Sequence, residues 1–213
     1  MRTISHHIPE PILAAYVSGN LPEPFALVVA AHISLCEDCR AAAHAHEQMG
    51  GLVLEGTDSV AVSSDLKAAL FAQLDDMPLE APPSPARAIG PYPAPVAEYF
   101  TGKEPRWKSL GRGVKQSILM NNGTGSVRLL YIPPSMAMPD HSHGGLELTL
   151  VLQGSFSDSQ GFYARGDVEV ADSDVTHTPI AGPEAPCICL AATDASLRFN
   201  ALVPRLLQPL FKI

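Results

Sequence analysis

The chain has 213 residues, of which 46% are hydrophobic and 17% charged, with a formal net charge of −8; that is enough apolar material for one or two cored domains and too much for a disordered chain. No apolar run approaches the roughly 18 residues that span a bilayer, and the N-terminus lacks the basic-then-apolar order of a signal peptide, so a cytoplasmic location is expected. The charge is lopsided: residues 1–80 carry Arg2, Arg40 and Lys67 against eleven acidic side chains, whereas residues 81–213 hold eleven of each sign. An acidic unit of this kind repels phosphate and suits a basic partner, which disfavours direct nucleic-acid binding. Four cysteines in a reducing compartment point to metal or redox use and away from a disulfide framework.

In chain order, prolines in the first turn followed by Ile12, Leu13, Tyr16 and Val17 predict a helix from Pro9 to Val17, closed by Gly19-Asn20. A second helix is expected from about Pro24, carrying Phe25, Leu27, Val28 and Ile33. It leads into His32-Ile-Ser-Leu-Cys36-Glu-Asp-Cys39, a His and two Cys at the spacing HxxxCxxC, which offers three ligands to one ion at a helix junction and reads as zinc. A fourth ligand has to come from elsewhere, and His6 and His7 are the nearest candidates. A third helix is expected from about Asp38 to Met49 with Gly50-Gly51 as its stop, and His44 and His46 on it read as exposed. A fourth, capped by Ser63, Ser64 or Asp65, places Leu66, Ala69, Leu70, Gln73 and Leu74 in one stripe. Nothing after it obviously covers that stripe, which either packs locally or serves as a partner-binding surface; Leu66, Leu70 and Leu74 are expected to bind a partner.

Seven prolines between Met77 and Val96 mark a stiff, extended linker. The expected division is a helical zinc domain over 1–80, a linker over 81–97 and a second domain over 98–213, the two domains able to move separately. In the second domain the pattern changes to period two, with strands expected at 126–132, 146–152, 166–170, 187–192 and 196–203, an all-β sandwich or barrel. Within it His141, His143 and Glu147 share parity, so an extended chain directs two imidazoles and a carboxylate to one face. His177, in a turn-like stretch, is placed to return to the same site, and an N₃O set of this type suits a divalent metal. Cys187 and Cys189 lie on one face of a strand, as core residues or as redox-sensitive thiols.

The run from His141 through His143 and Glu147 to Gly154 resembles the first motif of the cupin family, which implies metal ligation by His141, His143, Glu147 and His177. Ser135 stands where cupins commonly have Gly. The N-terminal segment resembles the zinc-binding anti-sigma domains of bacteria, which implies the ligand set His32, Cys36 and Cys39 with His6 favoured as the fourth. Both motifs in this order, joined by the Pro-rich linker, resemble the ChrR family of anti-sigma factors over nearly the whole chain. The resemblance implies a multidomain α + β protein, a small helical zinc domain followed by a cupin-like all-β barrel. It implies zinc in the first site and a divalent metal, zinc by preference, in the second. It further implies a regulator without catalytic residues that binds an extracytoplasmic-function sigma factor, with the cupin-like domain needed for release under oxidative stress of the singlet-oxygen type. The competing reading is a metal-dependent cupin enzyme, a dioxygenase or isomerase, with a fused zinc domain.

Overall fold

The computed structural model describes residues 3–75, 77, 87–100 and 104–195, and the backbone of 198–199. Five helices come first: α1 (Glu10–Val17), α2 (Glu23–Leu35), α3 (Glu37–Glu55), α4 (Leu66–Asp75) and α5 (Ala94–Ala97), the last continued by a 3₁₀ turn at Glu98–Phe100. Proline sits in the first turn of α1, α2 and α5, where no backbone N–H is needed and the fixed φ favours entry. A single extended residue, Cys36 (φ −106°, ψ 113°), separates α2 from α3. The third helix runs past its expected stop. Gly50 and Gly51 lie inside it, and it closes at Gly56. Each glycine costs about 1 kcal/mol against alanine, which helix-forming residues on both sides outweigh, and neither takes a left-handed φ.

Twelve strands follow among the described residues: β1 (Lys108–Gly111), β2 (Val114–Asn122), β3 (Gly125–Ile132), β4 (His141–Ser142), β5 (Glu147–Gln153), β6 (Ser155–Ser157), β7 (Phe162–Ala164), β8 (Val168–Ala171), β9 (Thr176–His177), β10 (Ile180–Ala181), β11 (Cys187–Thr193) and β12 (Arg198–Phe199). A six-stranded antiparallel sheet has the order β1-β2-β3-β11-β5-β8, and two three-stranded sheets, β10-β6-β7 and β12-β4-β9, complete the β unit. The fold class is as expected, a helical part followed by a cupin-like β part. Most of the expected strand at 196–203 lies outside the described residues. Ser135, in the position where cupins favour Gly, does take a left-handed φ of 59°.

The large sheet is buried on both faces, which explains why β5 and β11 read as nearly unbroken apolar runs. One face, with Val127, Leu129, Leu148, Leu150, Ile188, Leu190 and Ala192, packs in one cluster with Phe25, Val28, Val29 and Ala31 of α2. The opposite face turns Ile132, Val151, Cys187 and Cys189 toward Phe156, Tyr163 and Ala181. The helices and the β unit therefore share a core, where the sequence suggested two units free to move apart. Residues 78–86 of the proline-rich stretch lie outside the described residues, but its end does not hang free: Tyr92, Val96 and Phe100 are buried in that shared cluster. Among the described residues, no helix is long and apolar enough to cross a membrane.

Because Phe25 is almost wholly buried in the shared cluster, Phe25→Ala is expected to cost about 3–5 kcal/mol. Helical circular dichroism and the fluorescence of Trp107 in the β unit should shift together on urea unfolding. Two separated transitions would show that the common core does not couple the units.

Two candidate metal centres

The first centre forms where α2 meets α3. His32 lies on the last turn of α2, Cys36 caps α3 and Cys39 falls in its first turn, so one helix junction presents all three side chains inward. The fourth is His7, whose Nδ1 lies 3.3 Å from Cys36 Sγ and 3.5 Å from Cys39 Sγ. One ligand atom from each of the four residues lies within 4.8 Å of the others. His32 is fully buried; its Nδ1–H donates to the Gly166 carbonyl at 2.9 Å, and its Nε2 has no hydrogen-bond partner. A buried ring nitrogen left unpaired beside two thiols is costly unless something binds there. Burial brings His32 down to about 4, so the ring is neutral at physiological pH. Burial also pushes the Cys39 thiol up to about 11, with a smaller contribution from Cys36. A bound cation reverses that preference for the thiol form. Two sulfurs and two imidazole nitrogens make a closed set of the kind that holds structural zinc.

His6, the favoured fourth ligand on the sequence, is replaced in this cluster by His7. The two neighbours diverge because the β unit captures His6. Its backbone N–H donates to Asp167 Oδ1 at 3.0 Å, its Nδ1 lies 3.6 Å from the same oxygen, and its ring packs on Tyr163 with centroids 4.4 Å apart. Nothing local in a His-His dipeptide signals that choice, because Asp167 is 161 residues away.

The second centre is built on two short paired strands. His141 of β4 sits directly opposite His177 of β9, and His143 follows two residues after His141. All three are buried, with ring centroids 4.7–5.2 Å apart and Nε2 of His143 and His177 at 3.2 Å. Each ring has an acceptor behind its Nδ1. His141 donates to the Pro139 carbonyl at 2.8 Å and His177 to Asp158 Oδ2 at 2.6 Å, with Glu169 Oε1 at 3.2 Å. Behind His143 stands Glu147, its Oε2 3.4 Å from Nδ1, an ion-pair distance without hydrogen-bond alignment. The structure thus brings together three of the four expected ligands and sets Glu147 beside them, where it backs an imidazole. Acceptors behind the rings fix tautomer and orientation, as around metal-bound histidines.

Asp158 and Glu169 escaped the sequence reading. Glu169 left one clue, an acidic residue in the otherwise apolar β8 run Val168-Glu-Val-Ala171. Burial raises Glu169 to about 7, against the pull of His177. Burial acts against charge on His177 too, but Glu169 and Asp158 outweigh it and raise the imidazole to about 9. Cys187 and Cys189 are buried on the inner face of β11 with sulfurs 3.4 Å apart. The contact with Cys187, then burial, raises the Cys189 thiol. On the helical side, Leu66, Leu70 and Leu74 line one side of α4, and no residue of that helix is buried. His44 is exposed and pairs with Glu47.

Comparison with known proteins agrees with this architecture. Residues 97–196 match the family model described as the ChrR cupin-like domain. The anti-sigma-E factor ChrR of Cereibacter sphaeroides is 50% identical over 214 residues, covering 99% of this chain and all of that protein. The crystal structure of Rhodobacter sphaeroides SigE in complex with the anti-sigma ChrR matches with a TM-score of 0.79 at 48% identity, covering 90% of this chain and all of that one.

The charge on His177 makes metal uptake at the second centre pH-dependent. With the first centre already filled, binding of zinc at pH 7.5 should release about one proton, because the metal must displace the one held by His177. The release should fall toward zero above pH 9, where His177 has already lost it. Titration calorimetry in buffers of different ionisation enthalpy measures this number directly.

Proposed function

The chain belongs to the ChrR family of anti-sigma factors, and from that membership we propose that it sequesters an extracytoplasmic-function sigma factor in a 1:1 complex and frees it under oxidative stress. The observation that carries the reading is the run from Met49 to Met77. Met49, Leu52, Val53, Leu54, Val60 and Val62 are all exposed, and so are the α4 side chains Leu66, Leu70, Phe71 and Leu74. A ten-residue helix with no buried residue is too short to be stable on propensity alone. An apolar surface this extended marks an interaction site. The acidity of residues 1–80 suits the basic faces that a sigma factor presents to promoter DNA. The comparison protein ChrR is known in complex with SigE. A partner that works with RNA polymerase supports a cytoplasmic location in this reading.

Residues 1–80 carry the inhibitory contact in this reading, with zinc in the closed Cys₂His₂ centre holding α2 and α3 in place. Residues 98–213 carry the response. The metal of the histidine centre is a divalent cation, zinc by preference, and its three imidazoles leave room for Glu147 or an incoming group to complete the shell. The open position is the feature that favours the alternative, a cupin-type dioxygenase or isomerase. The family is one of regulators, and neither the acidic helical unit nor its exposed face serves a small-molecule enzyme.

Leu70→Asp should weaken binding of the sigma factor at least about 30-fold, measured by calorimetry or surface binding. It should leave the melting temperature of the free protein unchanged, since Leu70 is 54% exposed there. A drop in melting temperature with intact binding would return the stripe to the fold's own core.

In cells, His141→Ala, His143→Ala, Glu147→Ala and His177→Ala should each hold the sigma factor as the wild type does and blunt its release by singlet oxygen. Release at the wild-type rate from variants shown to lack the second metal would remove the signalling role. Turnover of a small molecule lost in the same variants would replace it with the enzyme.

A further inference from the structure

The turn joining β7 to β8, Arg165-Gly166-Asp167, is built into both candidate centres. Toward the helices, the Gly166 carbonyl accepts from His32 Nδ1, which leaves Nε2 as the ring's unengaged nitrogen in the His7–His32–Cys36–Cys39 cluster. The Asp167 side chain is 1% exposed. Its Oδ1 accepts from the Ser5 and His6 backbone N–H groups at 2.7 and 3.0 Å, and its Oδ2 from the Ala164 N–H at 2.8 Å. Val168 N–H donates in turn to the His6 carbonyl at 3.2 Å. The segment from Ile4 to His6 is thereby strapped to the turn, and the next residue is His7. Gly166 suits the turn because its φ of 95° is strained for any residue with a side chain, and a Cβ there would also push the Ile4 side chain aside. Toward the barrel, Glu169 stands two residues beyond Asp167 and contacts His177 Nδ1 at 3.2 Å. Four consecutive residues therefore support both imidazoles of the first centre and one of the second.

We propose that the two metal centres are energetically coupled through the segment Gly166–Glu169, so that emptying the histidine centre loosens the hold of His7 and His32 on the metal of the thiolate centre. This rests on the reading that both centres hold a metal, and adds a route between them. When the second metal leaves, His177 is no longer fixed by it and shifts together with Glu169, which stays in contact with its Nδ1. The displacement is passed along β8 to Asp167 and Gly166, whose hydrogen bonds position the first centre. Asp167 is in this view a positioning residue, and coupling between the sites must be reciprocal.

The test uses the full chain loaded with cobalt(II), whose thiolate charge-transfer absorption reports the Cys36/Cys39 centre alone while total metal is counted by elemental analysis. Loss of that absorption to a chelator is followed in the wild type, His141→Gln, Asp167→Ala and the double variant. His141→Gln keeps the side chain's approximate size, and near-ultraviolet dichroism of Trp107 confirms that the barrel stands. Asp167→Asn, which keeps an acceptor for Ser5 and His6, runs beside Asp167→Ala. The expected result is release at least about five-fold faster in both single variants, a smaller change in Asp167→Asn, and a double variant no faster than Asp167→Ala. An unchanged rate in folded His141→Gln lacking its second metal overturns the coupling, and so does a double variant whose acceleration is the product of the two singles. A wild type that binds fewer than two equivalents overturns the two-metal reading itself.

Discussion

The two nitrogens of His32 set the terms for the rest of the molecule. One donates to a carbonyl of the β unit, at Gly166, and the other faces two cysteines at the α2–α3 junction. For both to be satisfied, α2 must lie against the sheet, and its apolar residues Phe25, Val28 and Val29 fill the interface that results. A histidine held only by its own helix would leave the helical unit free to swing. Held as it is, the ring joins metal binding to docking, because the Gly166 carbonyl fixes its orientation only while the docked arrangement lasts.

That constraint also explains where the chain leaves apolar surface uncovered. α2 is used up by the sheet, and α3 packs with α1 and α2 through its first half, where Cys39 and Ala43 are buried. Beyond Ala43 no residue of the third helix is buried, and among the described residues the large apolar side chains from Met49 to Met77, including those of α4, are exposed. Hydrophobic residues in that number are not needed for folding. Their cost in solubility is met by the acidity of the same half of the chain, which resists self-association and at the same time selects a basic partner.

Much of this was legible in the sequence, and the failures have definite causes. The HxxxCxxC spacing located the helix junction because ligand geometry constrains nearby residues. Strand parity put His141 and His143 on one face, and β4 and β9 do pair at His141 and His177. Local patterns carry no information about long-range partners, which is why the choice between His6 and His7 failed: Asp167 decides it. The same blindness hid Asp158 and Glu169, and hid the docking of α2, since an apolar helix face looks the same whether it covers another helix or a sheet. The glycines at 50 and 51 misled for a different reason. Glycine permits a left-handed helix stop without imposing one, and these two stay helical, as does the right-handed Gly56 at which the helix closes.

The two centres differ in what they can do with a metal once it is bound. Two thiolates and two imidazoles leave no vacancy in a tetrahedral shell, so the first centre has little chemistry to offer and its bonding energy appears as structure. Three imidazoles backed by a carbonyl and three carboxylates are poised differently. Without metal, His177 carries a proton that Asp158 and Glu169 stabilise, so the loss of a cation is answered by the gain of a smaller one. A centre with such an alternative state can be emptied without leaving an unpaired charge in the barrel. The closed centre has no comparable refuge, because a neutral Cys39 and an orphaned His32 Nε2 are what remain when its metal goes. Of the two, the histidine centre is therefore the one whose side chains keep charged partners when no metal is bound, and the thiolate centre the one left with an unpaired buried nitrogen.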